Sequence, residues 1–121
     1  MIRIITSVEG AEAVCAVLER LPQAIQGACE GGLEEGMALV LDDVRALCPA
    51  HTGELKGSLA MNVAAAAGGA EGTVSAGSGH AAYVELGTYK MPAQPFLKPA
   101  FEANKGNVIG AVANAVKEAV G

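Results

Sequence analysis

Pro22–Cys48 reads PQAIQGACEGGLEEGMALVLDDVRALC. Ile25, Cys29, Leu33, Met37, Val40, Val44 and Leu47 recur every three or four residues, while Gln26, Glu30, Glu34, Glu35, Asp42, Asp43 and Arg45 take the other side. That period belongs to an amphipathic α-helix and predicts the longest helix of the chain. Pro22 suits a first turn, where its missing N–H costs nothing. Pro49 ends the run, because the residue before a proline is pushed out of the helical region. Gly27, Gly31, Gly32 and Gly36 each weaken such a helix by up to ~1 kcal/mol against Ala. Two readings of them stay open: close approach of another backbone, or a bend or break near Gly31-Gly32.

On the N-terminal side, the β-branched run Ile2–Val8 predicts a short edge strand. Ala11, Val14, Cys15, Leu18 and Leu21 then fall at helical spacing, and a helix is expected over Gly10–Leu21. On the other side, His51-Thr52-Gly53-Glu54 reads as a turn, with Thr52 available to cap a short helical turn around Leu55. Leu59, Met61 and Val63, then Thr73, Val74 and Ser75, are extended runs separated by Gly68-Gly69 and Gly72, which predicts a β-hairpin. Ala64–Ala67 has poor strand propensity, so the first strand is expected to stop early.

A short helix is expected over Ala81–Leu86, ended by Gly87 where a left-handed residue is needed. Pro92 and Pro95 make Thr88–Pro95 a loop. Phe96, Phe101, Val108, Val112, Val116 and Val120, with Ile109 and Ala113 beside them, mark a C-terminal helix that Gly106 and Gly110 could bend. The fold class that follows is α+β, a small antiparallel β-sheet packed against one long helix and a C-terminal helix.

The chain has 121 residues, which fits one domain (1–121) with a core that needs no staples. Hydrophobic residues make up 51% but aromatics only 3%, so the core must be built from many small contacts, which suits closely packed helices. A net charge of −5 lacks the basic stripe that releases counterions from phosphates, and so argues against a nucleic-acid binder. No apolar run approaches the ~18–20 residues of a membrane span, and Met1–Ile5 is too short for a signal-peptide core, so synthesis in the cytoplasm is expected. Cys15, Cys29 and Cys48 show no C-x-x-C spacing and sit among apolar neighbours, which reads as reduced, buried thiols.

Three constellations could carry chemistry. Gly77-Ser78-Gly79-His80-Ala81-Ala82 matches G-x-G-x-x-A between an expected strand and an expected helix, the place of a dinucleotide fingerprint, and supports as an alternative a small ligand-binding or enzymatic domain using the Gly77–Ala82 turn. The helix there leads into Gly87 and two prolines rather than a second parallel strand, so a tight turn is preferred. His51 and His80, with Ser58, Ser75 and Ser78, could sketch a hydrolase triad, but Ser78 has Ala76 where G-x-S-x-G needs glycine. Glu85 stands among Tyr83, Val84 and Leu86 on a mostly apolar segment. It reads as a partner contact, a fixed hydrogen bond to a neighbouring backbone, or a solvent-facing acid.

Pro49, Thr52-Gly53 and Leu55 form one block, Tyr83-Val84-Glu85-Leu86-Gly87-Thr88 a second, and Pro95-Phe96-Leu97-Lys98-Pro99-Ala100 a third. In this order and spacing they resemble the HK97 gp10-like family of tailed-phage neck and tail-completion (head-tail joining) proteins. The departures are His51, where an acid is common, and Leu86, where Phe is common. None of the blocks is a catalytic signature. The resemblance implies no enzyme, no cofactor and no metal. It implies a structural part of a phage or prophage neck that joins or completes the head-proximal end of the tail as a homo-oligomeric ring. Its partners would be further copies of itself and the connector, head-closure and tail proteins, with DNA at most passing through and no membrane. Its place would be the virion, after synthesis in the bacterial cytoplasm. The assembly residues expected on this reading are Tyr83, Glu85, Leu86, Thr88, Tyr89, Lys90 and Met91.

Overall fold

The computed structural model describes residues 3–8, 13–48, 57–66, 68–77, 81–89, 92–93 and 95–120. In chain order the elements are β1 (Arg3–Val8), β2 (Ala13–Glu19), a 3-10 turn (Gln23–Ile25) leading into α1 (Gln26–Leu47), β3 (Leu59–Ala66), β4 (Gly69–Ala76), α2 (Ala81–Leu86) and α3 (Leu97–Val120). The four strands form one sheet in the order β1-β2-β4-β3, and every neighbouring pair is antiparallel. Both long helices pack on it, α1 against β3 and β4, α3 against β1 and β2, and the two helices pack against each other. The expected α+β architecture is the one observed, with β1 at a sheet edge.

The helix expected over Gly10–Leu21 is instead β2. Val14, Cys15 and Leu18 fit helical spacing, but Ala13–Leu18 is also a short unbroken apolar run, and periodicity cannot separate a buried strand from a helix over that length. Tertiary pairing decides: β2 lies between β1 and β4, with Val14 opposite Val74, Ala16 opposite Gly72 and Leu18 opposite Ala70. Val14, Ala16 and Leu18 join the core, while Cys15 between them, also buried, takes the opposite face. Arg20 leaves the strand at φ 60°, and the Leu21 N–H donates to the Gly68 carbonyl at 2.9 Å. Gly68 turns the β3–β4 hairpin at φ 69°. A Cβ on the next residue, Gly69, would fall onto the Leu18 carbonyl oxygen. The second hairpin is present as expected, but β3 does not stop early: its alanines run to Ala66, paired with Gly69. Partners across the ladder supply what alanine propensity lacks.

Along α1 and the turn before it the buried side chains are Ile25, Cys29, Leu33, Met37, Val40 and Val44, the expected stripe less Leu47, which is 50% exposed at the helix end. Cys48 takes an extended conformation, φ −64° and ψ 125°, as the residue before Pro49 must. The helix continues unbroken through Gly31-Gly32. Gly32 and Gly36 serve close approach: a Cβ on Gly36 would meet Val108 Cα at 2.8 Å, and one on Gly32 would meet the Ala111 oxygen at 2.8 Å. Gly27 and Gly31 face open space. Gly72 does for the sheet what Gly36 does for α3, since a Cβ there would meet Met37 Cγ at 2.7 Å.

In α3, Phe101, Val108 and Val112 are buried as expected, together with Phe96 just before it. The stripe fades beyond them, where Val116 is partly buried and Val120 is 70% exposed. The helix is uninterrupted at Gly106 and Gly110. One polar link crosses the helix seam. Buried Asn104 donates from Nδ2 to Asp43 Oδ2 at 2.6 Å and to the Ala100 carbonyl at 2.8 Å, so Asp43, on the solvent side of the expected pattern, is tied to α3.

Candidate functional site

Helix α3 begins with four backbone N–H positions that no preceding turn can satisfy, at Phe96, Leu97, Lys98 and residue 99. Residue 99 is proline, which has no N–H to lose. The other donors go to one carboxylate. Glu85 Oε1 accepts from the N–H groups of Phe96 and Leu97, each at 3.0 Å, and Oε2 accepts from that of Lys98 at 3.2 Å. Glu85 is only 8% exposed, and its negative charge meets the positive end of a 24-residue helix. The acid is delivered by α2, whose Ala81 and Val84 are buried. Of the readings open for Glu85 from sequence, the fixed hydrogen bond to neighbouring backbone is what the fold contains.

This clasp joins the two ends of the intervening loop, and Phe96, fully buried, anchors the far end in the core. Gly87 at φ 78° turns the chain out of α2. Beyond the clasp several described residues are open to solvent: Leu86 is 70% and Tyr89 93% exposed, and Thr88, Pro92, Ala93 and Pro95 are exposed as well. Among the expected assembly residues, Leu86, Thr88 and Tyr89 therefore lie together on the surface and Glu85 lies beneath them. Tyr83 sits in α2, its side chain outside the described residues, as are Lys90 and Met91 entirely. Of the described side chains of the short helix, Ala81, Val84 and Glu85 are buried and Leu86 is exposed.

Elsewhere, chemistry is sparse. A groove of about 540 Å³ between α1 and α3 has a floor of small residues, Ala28, Gly32, Ala111 and Ala115, and acids Glu35 and Glu118 at its sides. Among the described residues no cluster of His, Cys, Asp and Glu is placed to hold a metal ion. Cys15, Cys29 and Cys48 are buried and in no disulfide, and burial pushes the Cys29 thiol above its ordinary range. Antiparallel β4 is followed in the chain by the six-residue α2, and no βαβ unit is present among the described residues; residues 78–80 of the expected turn lie outside them. His51, His80 and Ser78 lie outside the described residues, as does the Pro49–Leu55 block. Among the described residues no helix is long and apolar enough to cross a membrane.

The residues that sequence reasoning missed are Asp43 and Asn104. An asparagine on the apolar stripe between Phe101 and Val108 is the signal available in the sequence, and it gives no partner. The link between the second and third motif blocks was equally hidden, although Pro99 in a first turn is the signal that could have prompted a search for an acid. A family model described as "Bacteriophage HK97-gp10, putative tail-component" matches residues 12–87, well over half of the chain. The match takes in β2, α1, the β3–β4 hairpin and the Tyr83–Gly87 block, and it ends before the Pro95–Ala100 block. No curated protein and no solved structure gives a significant match.

Proposed function

The chain belongs to the HK97-gp10-like family of bacteriophage tail components, and from that premise we propose that it is a structural part of a tailed-phage or prophage neck. On this reading residues 1–121 work as one neck domain that joins or completes the head-proximal end of the tail, as a homo-oligomeric ring. The role is structural and not enzymatic. Its partners are other copies of the chain and the connector, head-closure and tail proteins, with DNA passing through without being gripped. It acts in the virion, after synthesis in the bacterial cytoplasm.

The observation that carries the docking part of this reading is the clasped loop. Leu86 and Tyr89 expose apolar surface on a segment whose two ends are held at one point by Glu85. Fixing the ends lowers the entropy lost when such a loop docks, and exposed aromatic and apolar groups contribute to interfaces more than to the fold beneath them. Tyr83, Thr88, Lys90 and Met91 complete the proposed surface, which Glu85 supports from below.

The test is a Leu86→Ser, Tyr89→Ala double variant in a phage that depends on this chain. The expected result is a melting temperature within a few degrees of wild type, since both side chains are exposed, together with tails that fail to join heads in electron micrographs. Normal yields of joined particles would overturn the loop assignment.

A further inference from the structure

The sheet order leaves β1 and β3 at the two edges, and because neighbours alternate in direction these edges run opposite ways. A second copy placed beside the first in the same orientation would lay its β3 antiparallel to the first copy's β1, continuing the alternation across the boundary. Edge strands are commonly guarded by proline and by charge, and these two have little of either. β1, RIITSV, has one charge, at its first residue, and β3, LAMNVAAA, has none; neither contains proline.

Each edge has its own helix beside it, α3 over β1 and β2, α1 over β3 and β4. The seam between the helices fixes their rotation and height. Gly36 meets Val108, Gly32 meets Ala111 and Ala115, and Asp43 meets Asn104, so the helices are antiparallel. At about 100° per residue, the flank of α3 turned away from that seam bears Ile109, Val116 and Val120, of which Ile109 is 45% and Val120 70% exposed. Glu102, Lys105 and Lys117 border it, and Glu102 is bridged to Lys105 at 2.9 Å. The flank of α1 turned away bears Leu41, partly buried, with Glu30, Glu34 and Arg45. Counting along both helices from the Gly36–Val108 contact, Lys117 stands within about one helical turn of the height of Glu30, and Glu102 within about one turn of Arg45. Side-by-side copies therefore bring opposite charges together at both ends of the helices, with Ile109 and Leu41 between them.

We propose that the ring closes through this head-to-tail contact between copies: the β1 edge and α3 flank of one subunit against the β3 edge and α1 flank of the next. The proposal rests on the ring reading above and supplies its subunit interface, with the Leu86–Tyr89 loop assigned to contacts with other proteins. Unlike faces meet, so the contact is heterologous, and it generates a ring when each subunit is turned by a closing rotation relative to the last.

Native mass spectrometry and sedimentation of the wild-type chain and of Lys117→Glu, Glu30→Lys and the double reversal test it. Each single reversal should raise the concentration for half-assembly by about tenfold or more, and the double variant should recover most of that loss. A Glu30→Cys, Ala113→Cys variant should give a ladder of covalent multimers on oxidation, and each single cysteine variant should give no ladder, the native thiols being buried. Multimers that ignore the reversals and yield no ladder would overturn this interface and leave the ring reading intact. A wild-type chain that stays monomeric at every concentration would overturn both.

Discussion

Glu85 sets where α3 begins, because one carboxylate takes every N–H that the first turn would leave unpaired. Removing it strands those donors in a largely buried site. Glu85→Ala should therefore destabilise the fold by about 2–4 kcal/mol, more than an ordinary exposed cap. Glu85→Gln keeps one acceptor oxygen but loses the charge facing the helix end, and should cost roughly half as much. Urea melts of both variants measure this. A Glu85→Ala chain as stable as wild type would mean that water caps the helix instead. At this scale the sequence marked Glu85 as unusual without naming its partners. The acid lies eleven residues before the first N–H it binds, whereas cap patterns read from sequence reach only about three.

Among the elements, α1 and α3 meet at a seam whose closeness depends on particular glycines and not on glycine in general. Gly36→Ala should destabilise, because its Cβ would meet Val108 Cα at 2.8 Å and backbone cannot swing aside. A loss of about 1–3 kcal/mol is expected for such overpacking. Gly31→Ala, five residues earlier and facing open space, should stabilise by up to about 1 kcal/mol through helix propensity alone. Thermal melts that moved both variants in the same direction would contradict the seam. The pattern of α1 was legible because a hydrophobic stripe over 22 residues fits only one period. That of β2 was not, since seven residues fit two, and the choice fell to the strands on either side of it. The same external pairing carried β3 through an alanine run that local propensity would have ended.

For the whole molecule, the net charge of −5 predicts that the purified chain neither retains duplex DNA at about 0.15 M salt nor shows the steep salt dependence of a phosphate binder. A filter-binding titration measures both, and tight, salt-sensitive retention would contradict a neck part that DNA merely passes. Sequence by itself determined the α+β class, the long helix, the second hairpin, the turn at Gly87 and the family, because each rests on local period, local turn chemistry or a linear motif. Only the tertiary structure decided that Ala13–Glu19 is a strand, that Gly32 and Gly36 rather than Gly27 and Gly31 admit the second helix, that Asp43 belongs to Asn104, and that Glu85 caps α3. Each of these depends on which distant group arrives beside a residue, and the arrival is set by packing the sheet and both helices together, which no window along the chain contains.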